Sequence, residues 1–345
     1  MSATALATPR ATGSAEAGDG APAQAARKPG PIRTVWRVMR ANPLTAVGFV
    51  LVIAICLAAF LIWFVPTVTG LFGTPVSILP YNPNAQNAIG ATPPSWSHWF
   101  GTDQIGLDIF SRVMAALPLD LGIGVGIATL SLFVGGFLGL VAGFWDRPRT
   151  VGGIASVVIL RITDIFLAFP SLLLALAISA TLGKTLTATI IAVSLTWWPY
   201  YVRVTRGEVL SVRHQPYITA ARAAGVKELR ILARHVVRNI LEPLVVYFTL
   251  DVGTVIVTFS TISFIGIALP PNVPEWGTMV SYYTNLVSIS TQWWVIAGPG
   301  LAIFVTVLAF SLVGDGMRDL LDPRSRRVLA EAQGIQAGAP TARSE

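Results

Sequence analysis

The segment QPYITAARAAGVKELRILARHVVRN, residues 215–239, differs from everything around it. It is rich in alanine and cations, and a segment with this density of charge cannot lie within lipid. Pro216 suits the first position of a helix, and Gly225 suits the left-handed position just past a helix end. In the stretch between these two residues, Tyr217, Ala221 and Ala224 lie on the same face of the helix. The pattern predicts a short helix with a narrow, smooth face, followed by a second amphipathic helix.

Six long apolar runs lie before and after this segment. They cover residues 44–65, 121–145, 165–183, 185–202, 243–267 and 293–314. A helix of about 20 residues is long enough to cross a hydrocarbon core of about 30 Å. With 53% hydrophobic residues, 12% charged residues and a mean hydropathy of +0.66, the chain does not fit a soluble globular domain. We therefore predict an all-α integral membrane protein with six transmembrane helices, the third of them kinked by Pro170.

The distribution of lysine and arginine predicts the orientation of these helices. With the N-terminus inside, 22 of the 24 cations fall on the cytoplasmic side, and only Arg112 and Lys184 remain outside. Cytoplasmic loops carry such an excess, so we expect both termini to be cytoplasmic. The same bias accounts for the net charge of +7. A nucleic-acid partner is therefore not expected.

The helices and loops predict five regions. These are a disordered cytoplasmic tail (1–31), a juxtamembrane segment with the first transmembrane helix (32–66), an extracytoplasmic loop (67–116), a five-helix core (117–316) that includes a cytoplasmic loop (203–240), and a cytoplasmic C-terminal tail (317–345). The single cysteine, Cys56, lies in an apolar run and allows no disulfide within the chain.

The segment HWFGTDQIGLDIFSRV, residues 98–113, precedes the second apolar run. Its first half indicates a turn at Gly101–Asp103. Its second half is typical of a short amphipathic helix with Ile105, Ile109 and Val113 on one side.

The chain contains no pattern for nucleotide or metal chemistry. Gly183-Lys184-Thr185 lacks the preceding glycine of a phosphate-binding loop, because Ile178 stands there. The three histidines, His98, His214 and His235, have no ligand spacing. We therefore expect no cofactor or metal in this chain, and no enzymatic activity of its own.

Asp251 is the only acidic residue well inside an apolar run. A carboxylate at that depth is costly unless it faces water or a partner, so a place on a translocation path is one interpretation. A structural bond to a neighbouring helix is the other, and the sequence leaves both open. Near the inner end of the third helix, Arg161 and Asp164 are spaced to pair across one turn.

TAARAAG followed by RILARHVVRN resembles the cytoplasmic EAA loop of permease subunits in ATP-binding-cassette importers. Ala220, Ala221 and Gly225 match that pattern. The positions that depart from it are Thr219, His235, Val237 and Arg238. A solvated helical hairpin between two spans is the alternative interpretation of this loop alone.

Further segments resemble the dipeptide, oligopeptide and nickel branch of these permeases. Residues 98–113 are similar to its segment FGTDxLGRDxxSR, with Asp108, Ser111 and Arg112 matching and Leu107 in place of arginine. Similar stretches occur at 160–177, 260–279 and 299–324, so the resemblance covers about residues 36–324. The branch usually carries glutamate in the fifth helix at the position of Phe259, and Asp251 lies eight residues earlier.

The resemblance implies a type I importer permease fold with a cytoplasmic coupling helix, in a prokaryotic cell membrane. It implies docking on the ATPase subunits through Tyr217, Ala220, Ala221, Arg222, Gly225, Lys227 and Arg230, and it makes Asp251 and Phe259 candidates for the translocation path. The partners would be a second homologous permease, two ATPases or one fused ATPase holding ATP and Mg²⁺, an extracytoplasmic solute-binding protein, and membrane lipid.

A peptide substrate is favoured by the branch, with nickel, glutathione or another small solute as alternatives. A channel or a membrane-embedded enzyme is a different class of function. A channel would not need the docking hairpin, and an enzyme would need clustered polar residues at one depth.

Overall fold

The computed structural model describes residues 42–146, 149–183, 185–267, 269, 272–286 and 292–321. The predicted tail 1–31 and most of the predicted tail 317–345 lie outside these residues. The helices in the described residues are α1 (Pro43–Leu71), α2 (Ile109–Phe144), α3 (Val151–Leu167), α4 (Ser171–Leu182), α5 (Leu186–Arg213), α6 (Pro216–Ala223), α7 (Glu228–Ile231), α8 (Val237–Phe264), α9 (Trp276–Leu286) and α10 (Trp293–Leu321). A π-helical turn, Leu232–Val236, joins α7 to α8.

Several of these helices are long and apolar enough to cross a membrane. In the described part of the chain, four pass on length and composition: α1, α2, the continuous Glu228–Phe264 unit, and Trp293–Asp319 of α10. The pair α3 and α4 passes as a single span bent by 86°. The α5 helix covers the predicted fourth run, but it continues to Arg213 and carries several cations in its second half. The prediction of an all-α membrane protein is confirmed, with four to five candidate spans by this measure.

The α2 helix begins earlier than the apolar run predicted. Asp108 caps it by accepting the N–H of Ser111 at 2.8 Å, so the helix starts at Ile109 and runs for 36 residues. The separate amphipathic helix expected here is therefore wrong. Ile105 lies in the preceding turn and is exposed, whereas Ile109 and Val113 belong to the first turns of α2. The region boundary at residue 116 falls inside this helix.

Pro170 breaks the third helix rather than kinking it. The α3 helix begins at Val151, capped by the Thr150 hydroxyl, which accepts the N–H of Gly153 at 3.1 Å. It ends at Leu167, and α4 starts directly after Pro170 at 86° to it. The predicted start at residue 165 is wrong because the charged residues Arg161 and Asp164 lie inside a helix that continues through them.

The most extensive helix pairing among the described helices is that of α2 with α5, and glycine residues make it possible. Gly135, Gly139 and Gly143 lie four residues apart on α2 and face α5. A Cβ atom on Gly139 would stand 2.6 Å from the backbone oxygen of Val202, and one on Gly135 would overlap the backbone oxygen of Trp198. Small residues let helix backbones approach closely in membranes, where packing replaces the hydrophobic drive.

Buried apolar side chains form two clusters along this bundle. The larger joins α2, α5, α8, α9 and α10, and it also contains one buried alanine each from α1 and α4. The smaller lies at the end of α2 beneath α6 and α7, and it includes Phe144, Val209 and Ile218. The short helix α6 is therefore packed on the bundle rather than projecting freely from it.

Gly139→Val tests the glycine contact. The added side chain meets the α5 backbone, so we expect a loss of stability of roughly 1–3 kcal/mol, the usual cost of overpacking. Gly126→Val is the matched control, because that glycine lies on the same helix with no atom within 4 Å of its Cβ position. Thermal unfolding of the purified proteins in detergent measures the difference. Equal midpoints for the two variants would contradict a close α2–α5 contact.

Candidate functional site

The segment from α6 through the π-helical turn forms a compact hairpin that joins α5 to α8. Its anchor is Ile218, which is fully buried. The buried residues packed in the same cluster are Phe144, Val209, Ile231, Leu232, Val236, Ile240 and Leu244. Ile218 was not among the predicted residues, because the prediction rested on the alanine face of the helix. The available signal was a single large aliphatic side chain in an alanine-rich helix.

The end of α6 has the geometry that the sequence predicted. Gly225 has a φ of +76°, and its N–H donates to the carbonyl of Arg222 at 3.0 Å. The next residue, Val226, donates its N–H to the carbonyl of Ala221 at 3.1 Å. This pair of bonds is the Schellman arrangement, which ends a helix with a left-handed residue. Pro216 occupies the first turn, as expected. The direction in which the chain leaves α6 is therefore fixed.

Most of the predicted docking residues are accessible. Tyr217 is 45% exposed, with its ring centroid 6.4 Å from that of His235. Ala220, Lys227 and Arg230 are also exposed, and Ala221 is half-buried. An aromatic ring, small residues and two cations of the hairpin are thus accessible, and their role in docking stays a prediction.

Arg222 is used differently from the other predicted docking cations. Its guanidinium donates to the Glu228 carboxylate at 3.1 Å and lies 6.0 Å from the centroid of the Phe144 ring. The side chain is only 30% exposed. Arg222 therefore links α6 to α7 and to the end of α2.

Arg213 attaches the hairpin to α2. Its guanidinium donates to the carbonyls of Gly143 at 2.8 Å and Asp146 at 3.2 Å, at the C-terminal end of that helix. A cation is favourable there because the last carbonyls of a helix lack partners. Arg206, two turns earlier on α5, pairs with the Asp146 carboxylate at 2.9 Å. The ends of α2 and α5 are therefore joined directly beside the hairpin.

Asp251 connects α8 to α5. Its carboxylate accepts the indole N–H of Trp197 at 2.8 and 2.9 Å and the hydroxyl of Tyr201 at 2.9 Å. The helix-to-helix bond expected under the structural interpretation is thus present, and a role for Asp251 on a translocation path stays a prediction. Phe259 is 2% exposed and packs inside the larger cluster.

A second ion pair differs from the one expected. The Asp164 carboxylate accepts a hydrogen bond of 2.8 Å from the guanidinium of Arg203 on α5, whereas the sequence predicted a pair with Arg161 on the same helix. Both side chains are about half exposed, so the bond contributes little to stability.

At the opposite end of the bundle, the motif residues of segment 98–113 hold the preceding loop. The Asp108 carboxylate bonds the imidazole of His98 at 2.8 Å, and the Ser111 hydroxyl accepts the N–H of Tyr81 at 3.2 Å. The Arg112 guanidinium donates to the carbonyl of Pro83 at 3.1 Å. Their role in this structure is to attach residues 80–98 to the start of α2.

Asp103 ties the same turn to α9. Its carboxylate accepts the N–H of Leu107 at 2.8 Å and the hydroxyl of Tyr283 at 3.2 Å. Burial raises the pKa of Asp103, and these hydrogen bonds hold it partly down. Within the described residues, no group of three His, Cys, Asp or Glu side chains is placed to hold a metal ion.

Tyr201→Phe tests the Asp251 bonds. Removing the hydroxyl leaves a buried carboxylate with fewer donors, so we expect a loss of roughly 1–3 kcal/mol of stability. Tyr200→Phe removes the same atom one residue away, from a ring that is 45% exposed, and should change stability little. Thermal unfolding compares the two variants, and a Tyr201→Phe protein as stable as the control would show that the bond is dispensable.

Comparison with known proteins identifies the family. The sequence profile of the family described as "Binding-protein-dependent transport system inner membrane component" matches residues 135–327. The Di/tripeptide transport system permease protein DppC of Pseudomonas aeruginosa is 38% identical over 305 residues, which cover 86% of this chain and 93% of that protein. The Glutathione transport system permease protein GsiD of Escherichia coli is 36% identical over 310 residues, with 86% and 93% covered.

Among solved structures, a chain of the MetNI methionine ABC transporter in an inward-facing conformation aligns with a TM-score of 0.47 at 19% identity, covering 61% of this chain and 98% of that one. The family assignment rests on the match to the sequence profile and on the alignments with the two permeases, which cover most of this chain. The protein is a multi-pass membrane protein and a member of the binding-protein-dependent transport system inner membrane component family.

Proposed function

We propose that this chain is one permease subunit of an ATP-driven importer of peptides and that it forms the translocation path with a second, homologous permease. The family and the peptide permeases among its relatives support this function. The observation that carries the mechanism is the hairpin at residues 214–236. It is closed by the Gly225 turn, anchored by Ile218, joined to α5 by a two-residue connection, and continuous with α8.

In this proposal the chain crosses the membrane six times. The spans are α1, α2, the bent pair α3 and α4, α5, the continuous α7–α8 unit, and α10. The cation distribution supports an arrangement with both termini and the hairpin in the cytoplasm. The loop held by Asp108 and Arg112 then faces the outside, where a solute-binding protein would deliver the substrate. The fold would be that of a type I importer permease.

The hairpin would receive the movement of cytoplasmic ATPase subunits, which hold the ATP and Mg²⁺. The Tyr217 ring would insert into a groove of the ATPase, and the small residues Ala220 and Gly225 would allow its surface to come close. The cations Lys227 and Arg230 would make contacts at the edge of this interface. The bonds of Arg213 to α2 and of Asp251 to α5 support transmission as a rigid body. Displacement at the coupling helix α6 would then move α2, α5 and α8 together, and the path would open alternately to the two sides.

Gly225→Asp tests the coupling role. A side chain and a negative charge at this exposed left-handed position disturb both the turn and the docking surface, so we expect uptake to fall to background while insertion into the membrane persists. Uptake of labelled dipeptide by cells, together with the amount of protein in the membrane fraction, measures the two effects.

Gly207→Asp is the control, since that glycine is exposed on α5 and its Cβ position has no atom within 4 Å. It should keep most of the uptake. Normal uptake by Gly225→Asp would contradict the docking role of the hairpin. Copurification of the ATPase subunits with wild type but not with Gly225→Asp would support it.

The substrate class is tested by competition. If peptides are the cargo, unlabelled di- and tripeptides should abolish uptake of labelled dipeptide in cells that depend on this importer. Glutathione is the second candidate, because one relative is a glutathione permease. Uptake of glutathione or Ni²⁺ with no uptake of peptides would contradict the proposal.

A further inference from the structure

Two buried carboxyl groups meet at the end of the bundle opposite the hairpin. Asp120 lies on α2 and is 3% exposed, and Glu275 precedes α9 and is fully buried. The Oδ2 atom of Asp120 accepts the backbone N–H of Trp276 at 3.1 Å. Trp276 directly follows Glu275 in the chain, and the two carboxyl groups are near enough for their charges to interact. The coupling mechanism uses neither of them.

Their hydrogen-bond partners are unequal. Glu275 accepts the N–H of Gly277 at 2.9 Å on Oε1 and that of Thr278 at 2.7 Å on Oε2. Both donors belong to the first turn of α9, where a negative charge is favourable. Burial raises the pKa of Glu275, and these backbone donors oppose that rise. The environment of Glu275 therefore suits an ionised carboxylate better than that of Asp120 does.

Asp120 lacks a comparable set of donors. Its Oδ1 atom is buried and has no hydrogen-bond partner among the residues that the structure describes. The hydroxyl groups of Ser263 on α8 and Thr278 on α9 lie beside Glu275 instead, where they favour its ionised form as hydrogen-bond donors. A buried carboxylate oxygen without a donor carries the full cost of its desolvation. A proton on Oδ1 would remove that charge and provide a donor.

No cation among the described residues neutralises the pair. On α2, Arg112 lies two turns away and is bonded to Pro83 and Asn84 in the loop. On α9, the Tyr283 hydroxyl is bonded to Asp103. On α8, the nearest acid is Asp251, twelve residues before Ser263 and bonded to α5. The part of α10 from Trp293 to Gly314 contains no charged residue.

The backbone around the pair is held in place, which limits relief by movement. The indole N–H of Trp276 donates to the carbonyl of Val113 at 3.0 Å. Gly277 packs so closely on the backbone of Ser260 that a Cβ atom there would overlap it. Two like charges held near each other in a buried site oppose one another, and one bound proton relieves the repulsion.

We propose that Asp120 and Glu275 form a proton-binding site that holds one proton, carried on Oδ1 of Asp120, while Glu275 remains ionised. The bound proton keeps α9 docked on α2. Loss of the proton places a second negative charge between the two helices and weakens their contact. This site is independent of the hairpin and of the identity of the substrate.

Infrared spectroscopy of the purified full-length protein tests the site directly. At neutral pH the wild type should show the carbonyl-stretch band of a neutral carboxylic acid, and the band should be absent from Asp120→Asn. Asp315→Asn is the matched control, because it makes the same chemical change at an exposed position on α10, and it should retain the band. Absence of the band from the wild type at neutral pH would overturn the proposal, as would its persistence in Asp120→Asn.

The pH dependence of the stability gives a second measurement, independent of the infrared spectrum. A carboxyl group that keeps its proton in the folded state to higher pH than in the unfolded state stabilises the fold at low pH, and that stabilisation is lost as the pH rises. The unfolding midpoint of the wild type and of Asp315→Asn should therefore fall from mildly acidic to alkaline pH. Asp120→Asn, which resembles the protonated acid in shape, should show a smaller fall. Identical pH profiles for all three proteins would contradict the site.

Discussion

Glycine residues on α2 bring its backbone against that of α5, and this contact holds the bundle together where the hairpin begins. Moving an apolar helix surface from lipid onto another helix brings little hydrophobic free energy. The association of two such helices must therefore come from packing and from hydrogen bonds between them. Gly135 and Gly139 remove the side chains that would separate the backbones. With the helices in contact, Arg206 and Arg213 on α5 reach the end of α2 at Asp146 and Gly143. The base of the hairpin is built by these bonds.

The hairpin is accordingly part of the bundle and not a loop attached to it. Ile218 is buried against Phe144 at the end of α2, and Arg222 lies over the same ring. Asp251 joins α8, the helix that leaves the hairpin, to α5, the helix that enters it. A force on α6 therefore acts on three long helices at once. This arrangement suits transmission of movement better than it suits flexible recognition.

The sequence predicted best where backbone chemistry is local. Pro216 and Gly225 delimit α6 because one lacks an N–H and the other tolerates a positive φ, and neither effect depends on the rest of the fold. Asp108 as a helix cap, and with it the true start of α2, was missed because the charged and polar residues before residue 121 ended the apolar run. The 86° break at Pro170 and the burial of Ile218 depend on neighbouring helices. A helix that is apolar on all sides carries no pattern to show which face meets which neighbour.

The polar contacts between helices were the part of the structure that the sequence predicted least. These contacts distinguish two kinds of buried acidic residue. Asp251 has three bonds to donors on α5, two of them from one indole, so its carboxylate is well supplied and serves to join helices. Within the described part of the chain, Asp120 has one donor and one oxygen without a partner, and its charge interacts with that of a second carboxyl group, Glu275. The sequence marks Asp251 as the unusual residue because it stands alone in an apolar run. In the structure, Asp120 is the acidic residue whose charge is least compensated. The free energy of burying a charge depends on its hydrogen-bond and ionic partners and not on its depth alone.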